Sequence, residues 1–202
     1  MASVGVAAVG IGLAVPAACA AGTGGAPVGA RPATSARAAA TPTRAAAACE
    51  RTLSAYPVLR PGDRGPAVGA LQCTINDAGL GPVAVDGSYG PQTKRAVVAA
   101  AKGTEGAPDT SGRVNNSMWV TLISAALSDR TLRKGSTGAD VVILQRALRA
   151  QGLAITVDGR FGAQTQTVVR AFQRATGNTP DGVVGPSTLF ALHSGGSGRL
   201  AN

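Results

Sequence analysis

Apolar side chains recur at helical spacing in short stretches along most of this chain. Val141, Leu144 and Leu148 lie at i, i+3 and i+7, and Thr165, Val168, Val169 and Phe172 at i, i+3, i+4 and i+7. Leu189 and Leu192 follow three residues apart, as Trp119 and Leu122 do earlier. Each spacing puts its members on one helix face. Helix starts are marked independently: Gly65-Pro66, Gly90-Pro91 and Gly185-Pro186 put proline at the first helical residue, where its missing N–H costs nothing. Gly138-Ala139, Gly162-Ala163 and Asn115-Asn116 fill the remaining starts. Sustained alternation is absent, so no strand is expected beyond a bridge or two.

These stretches form a repeat. Leu59, Gly62, Gly65, Val68, Leu71, Gln72, Ile75 and Gly79 match Leu132, Gly135, Gly138, Val141, Leu144, Gln145, Leu148 and Gly152 in order. Val85-Asp86-Gly87-Ser88-Tyr89-Gly90 then matches Val157-Asp158-Gly159-Arg160-Phe161-Gly162, and Gly112-x-Val114 matches Gly182-x-Val184. In both copies an Asp-Gly turn leads into a helix, because Asp bonds its own backbone and Gly accepts positive φ. The spacing drifts slightly, which places insertions and deletions in loops. The expected fold class is all-α: two tandem three-helix units, residues 49–127 and 129–194, followed by a flexible tail at 195–202. Units of roughly 70 residues have small cores and modest stability.

Ahead of the repeat, residues 1–20 hold an uncharged apolar run, Val4 to Ala18, too short to span a membrane. Ala18-x-Ala20 suits signal-peptidase cleavage, although no Lys or Arg stands near Met1. Export is the preferred reading; a lipoprotein acylated at Cys19 ranks second, because Pro16 stands where such a site wants an aliphatic residue. Residues 21–48 are almost wholly Ala, Gly, Pro, Thr and Ser, too poor in large apolar groups to fold, and read as a disordered spacer. Cys49 and Cys73 remain after either processing route. A bridge between them would staple the lead-in to unit one, closing a loop of about two dozen residues worth ~3 kcal/mol on the chain-entropy estimate. The alternative is a reduced pair without a role. Cys73 aligns with Arg146, which puts it on the expected polar face of its helix.

Nineteen Lys plus Arg against ten Asp plus Glu give a net charge of +9, which favours an anionic partner: nucleic acid, phospholipid or wall polymer. The cations are scattered, from Arg60 and Lys94 to Arg149 and Arg174, rather than massed on one recognition helix. Export also argues against nucleic acid. The single histidine, His193, closes the last helix, leaving too few ligands for a zinc peptidase and no Ser-His-Asp set. No paired carboxylates suit glycoside hydrolysis. The chain is therefore read as non-enzymatic, without cofactor or metal.

The combined pattern is Leu-x-x-Gly-x-x-Gly-x-x-Val-x-x-Leu-Gln, Val-Asp-Gly-x-(Phe/Tyr)-Gly-x-x-Thr, Ala-Phe-Gln and Asp-Gly-Val-Val-Gly-Pro-x-Thr. It resembles the peptidoglycan-binding domain of bacterial cell-wall hydrolases, a three-helix module usually appended to amidases, muramidases or carboxypeptidases. The resemblance covers about residues 56–127 and 129–194. Unit two departs only at Leu189, where the family often has Trp. Unit one departs more, with Ala100-Ala101 in place of Phe172-Gln173 and Asn115-Asn116 in place of Gly-Pro.

With the N-terminal export segment and the positive charge, the resemblance points to a secreted protein held to peptidoglycan or another anionic wall polymer; no membrane span and a monomeric state are expected. Tandem modules would raise avidity for a repeating polymer. A groove for N-acetylated sugars and carboxylate-bearing peptide needs a cation, amide-type hydrogen bonders and an apolar wall. In unit two the candidates are Arg160, Gln164, Thr165, Gln145, Gln173 and Phe161; in unit one, Tyr89 and Gln92. Arg160 and Gln164 are the preferred surface contacts. The plainer alternative makes Phe161 core, Thr165 a cap, and Gln145 and Gln173 partners of loop carbonyls. A protein–protein adaptor or hydrolase regulator on the same fold is the second functional reading.

Overall fold

Helices form where the apolar spacing and the glycine junctions place them. The computed structural model describes residues 49–102 and 109–196, all within one compact unit. The expected signal segment at 1–20, the spacer at 21–48 and residues 197–202 of the tail lie outside the described residues. The elements are α1 (Pro66–Asp77), α2 (Pro91–Ala101), α3 (Asn116–Ser124), α4 (Ala139–Ala150), α5 (Ala163–Ala175) and α6 (Pro186–His193). Proline opens α1, α2 and α6. At α3, Asn115 does the work instead, its side chain accepting from Met118 N at 2.9 Å. None of these helices is long and apolar enough to cross a membrane.

Among the described residues there are isolated antiparallel bridges and no strands. Leu59–Val114 and Arg64–Ser88 recur as Leu132–Val184 and Thr137–Arg160. In each half, the segment before the first helix thus pairs with the turns before the second and third. Gly138 N donates to Gly159 O at 3.0 Å and Phe161 N to Ser136 O at 2.9 Å, which fixes the turn against the start of α4.

The interior follows the helix faces read from the sequence. Val141, Leu144, Leu148, Val169, Phe172 and Leu192 are fully buried, as are Leu71, Ile75, Trp119 and Leu122. The core does not stop between the halves. α3 packs most extensively on α4 and also on α6, and the buried apolar residues form one continuous cluster. His193 Nε2 lies 3.0 Å from Ser124 O, so that nitrogen carries the proton donated to the end of α3.

This packing corrects two expectations. Cys73 and Arg146 are not on a solvated face: they are 1% and 5% exposed. Cys73 is bridged to Cys49, and the lead-in is held over α1 further by the Arg51–Asp77 ion pair at 2.6 Å. Arg146 lies in a cleft bordered by α1, α3 and α4. Single-helix periodicity reports one buried face, whereas these positions are covered by a second. The start of the expected tail is likewise built in. Gly195 and Gly196 are buried, and their carbonyls accept from Ser117 Oγ at 2.8 Å and Gln151 Nε2 at 2.9 Å.

Candidate functional site

The repeated turn is held by a buried glutamine. Gln145, on α4 and 1% exposed, spans the Asp158-Gly159-Arg160 turn with its whole amide. Its Oε1 accepts from Asp158 N at 3.0 Å and Gly159 N at 2.9 Å. Its Nε2 donates to Asp158 Oδ1 at 2.8 Å, Arg160 O at 3.0 Å and Thr165 Oγ1 at 3.1 Å. Two backbone N–H groups facing one end of the amide define its orientation. Gly159 has φ +70°, and a Cβ there would meet Val142 Cγ2 at 3.1 Å, so turn and packing both select glycine.

The same lock recurs. Gln72 on α1 holds Asp86, Gly87 and Ser88 and reaches Thr93 Oγ1 at 3.3 Å. Gln173 on α5 holds Asp181, Gly182 and Val183 and reaches Thr188 Oγ1 at 3.1 Å. A helix thereby fixes the turn that starts the next helix. At the fourth equivalent place, between α2 and α3, the glutamine, aspartate and threonine are replaced together by Ala101, Ser111 and Met118. There the Tyr89 hydroxyl donates to Gly112 O, and Asn115 caps α3.

Electrostatics follow from this hydrogen bonding. Asp158 lies below the ordinary carboxylate range, chiefly because Arg160 N donates to it and secondarily because Gln145 does. Asp181 is lowered in the same way by Val183 N and Gln173. Burial raises the Tyr89 phenol, reinforced by the negative charges of Asp109 and Asp63. It remains a neutral donor inside unit one.

The eight residues singled out from the sequence therefore separate. Gln145, Gln173, Thr165, Phe161 and Tyr89 are all buried, 1–3% exposed. The polar groups among them are engaged in holding turns, so the structure places these five in the fold's interior. Arg160, Gln164 and Gln92 are exposed, and Gln92 Nε2 donates to Pro82 O at 2.9 Å. Arg160 and Gln164 stand at the end of the turn and the start of α5. The signal that distinguishes the two groups was present in the sequence: Gln, Asp-Gly and Thr recur as a set, whereas Arg160 faces Ser88 in the other copy.

Two surface grooves lie where the repeats meet, and sequence reasoning named neither. One, of about 700 Å³, is lined by Tyr56, Asn116, Arg149, Ile155 and Gln164, among others. Arg149 is engaged there with the Ile155 carbonyl, at 3.1 Å from its Nε. The other, about 530 Å³, runs between α3 and α6 past Arg113, Asn115, Met118, Asn178, Ser187 and Phe190. Phe190 is 64% exposed, the most exposed large apolar side chain among the described residues. Only Gln164, of the sequence candidates, borders either groove.

Comparison with known proteins agrees with the sequence pattern. The family model described as a putative peptidoglycan binding domain matches residues 137–192, from just before α4 through α6. The chain is similar to a spore cortex-lytic enzyme of Halalkalibacterium halodurans, 41% identical over 76 residues, covering 37% of this chain and 23% of that protein. It is also similar to a zinc D-Ala-D-Ala carboxypeptidase of Streptomyces albus G, 39% identical over 66 residues, covering 31% of this chain and 26% of that protein. A crystal structure of the SleB N-terminal domain aligns with 34% identity, 36% coverage of this chain, full coverage of that one, and a TM-score of 0.34. The chain thus spans about a quarter of the length of the curated relatives it matches. Residues 137–192 are a peptidoglycan-binding domain of the matched family.

Proposed function

We propose that this is an exported, non-catalytic protein that attaches to peptidoglycan through two repeats of one module, residues 49–127 and 129–194. The observation that carries the reading is the family match over residues 137–192, combined with an exposed Arg160 and Gln164 at the end of the turn both repeats share. Arg160 supplies a cation for stem-peptide carboxylates and Gln164 an amide at the groove beside Tyr56 and Asn116. The groove beside Phe190 adds an exposed aromatic face flanked by Asn178 and Ser187, chemistry suited to a sugar ring and its amide. Unit one has Ser88 where unit two has Arg160, so unit two is the principal carboxylate binder.

The test is sedimentation with purified, insoluble peptidoglycan at moderate salt, run beside a DNA mobility shift. The full chain is expected in the pellet and to leave the DNA unshifted. Arg160→Ala and Gln164→Ala should each release a measurable fraction of the protein without lowering its melting temperature. A chain that stays in the supernatant with peptidoglycan overturns the reading.

A further inference from the structure

A guanidinium lies at the junction of the repeats without the partners a buried charge requires. Arg146 is 5% exposed. Among the described residues its side chain makes one long contact, Nη2 donating to Thr74 Oγ1 at 3.5 Å, and its Nε is buried with no acceptor. A guanidinium has five donors, and burying them unmatched is costly. Asp77 borders the same cleft but is engaged by Arg51 at 2.6 Å.

The same side chain lines a cleft of about 350 Å³ between α3 and α4. Leu122, Ile123, Ala126, Val142 and Ile143 give it an apolar wall, and Arg51, Thr74 and Asp77 border it on the α1 side. A buried cation bordering a largely apolar slot selects a particular chemistry: a carboxylate borne on a short aliphatic group. A fully hydrated anion such as phosphate would have to shed its water against leucine and isoleucine. Neither repeat has this slot alone, because its walls come from α3 of one and α4 of the other.

We infer that the cleft floored by Arg146 is a carboxylate site that takes the C-terminal alanyl end of a peptidoglycan stem peptide. The carboxylate pairs with the part of the guanidinium that borders the cleft, and the alanyl methyl packs on the apolar wall. This rests on the proposed attachment to peptidoglycan and assigns a part of that polymer to a place between the repeats. It is separate from Arg160, which lies on the exposed turn.

The probes are N-acetyl-D-alanyl-D-alanine and its C-terminal amide, titrated into the full chain by calorimetry. The acid should bind and the amide should bind about tenfold more weakly or worse, since each tenfold corresponds to the loss of one good charged contact. Arg146→Met, of similar length and apolar, should lose acid binding yet melt at the same or a higher temperature, as buried charges replaced by hydrophobes commonly do. Arg146→Lys keeps a charge without the fork and should bind more weakly than the native chain. Equal binding of acid and amide, undiminished binding by Arg146→Met, no binding of the acid by the native chain, or failure of both variants to fold would each overturn the inference. Peptidoglycan sedimentation run in parallel separates the two claims: retention without a dipeptide response removes only this site, and loss of retention removes the functional reading.

Discussion

Gln145→Ala tests whether the glutamine is a structural lock or a ligand contact, and its size can be worked from the geometry. The substitution removes an amide that accepts from two backbone N–H groups, at 3.0 and 2.9 Å, and donates to Arg160 O and Thr165 Oγ1. The exposed Asp158 carboxylate is left out of the sum, because water takes the place of the lost donor. A hydrogen bond nets ~0.5–1.5 kcal/mol, and a buried group left unpaired costs ~1–3 kcal/mol. With the turn half-buried, so that water reaches part of the vacated amide site, the expected loss is about 3 kcal/mol. The repeats share one core and are expected to unfold together, so this should lower the melting temperature by roughly 10 °C. Circular dichroism melts and urea titration measure both quantities.

Two companion measurements make the reasoning refutable. Amide exchange at Gly159 should accelerate in Gln145→Ala, because its N–H loses its acceptor. Below its melting temperature, the variant should bind peptidoglycan as the native chain does, since a 1% exposed amide touches no ligand. A loss under about 1 kcal/mol, the scale of a surface substitution, would show that the turn holds without the lock. Reduced binding by a fully folded variant would return Gln145 to the ligand-contact group.

Further outcomes follow from the same structure. Asp158 and Asp181 have folded values below their unfolded ones, so they stabilise the fold above the unfolded Asp value near ~3.9, and that stability is lost as pH falls through their folded values; Asp158→Asn should flatten this acid limb in melts taken below about pH 4. Cys49→Ser should cost about 3 kcal/mol on the loop-closure estimate, the bridge spanning 24 residues, and the native chain should lose a similar amount on reduction. Ala101→Gln alone should destabilise by burying an unmatched amide, whereas Ala101→Gln with Ser111→Asp and Met118→Thr should recover most of that loss. The coupling among those three, read from a mutant cycle by urea titration, should reach at least about 1 kcal/mol.

Helix faces and starts were legible because they are local. Val141, Leu144 and Leu148 declare their face within a single helix, and Gly185-Pro186 needs no distant partner to start one. The disulfide was legible because cysteine chemistry left Cys49 and Cys73 as the natural pair. Arg146 and Cys73 were misplaced because a pattern with one period describes one buried face, and the face they occupy is covered by other elements. No local spacing encodes α3 lying on α4. The grooves beside Phe190 and Tyr56 were missed for the same reason: their walls come from distant segments.

The glutamines were ambiguous for a different reason. A repeated Gln suits an exposed hydrogen bonder as well as a buried clamp, and residue type alone does not choose. What chooses is co-occurrence. Gln72, Gln145 and Gln173 each come with an Asp-Gly and a following Thr, and where Ala101 stands the Asp and Thr are gone as well, replaced by Ser111 and Met118. Residues that vary as a set serve one another, since an amide left beside Ser111 and Met118 would be buried with partners missing. Residues that vary singly over a constant frame, as Arg160 does against Ser88, are free to answer to something outside the fold. That distinction moves the candidate contacts away from the turn's interior to the exposed Arg160 and Gln164. It makes the mutant cycle at Ala101 a test of the rule itself: three independent, additive effects would mean that joint replacement carries no information about which residues hold the fold.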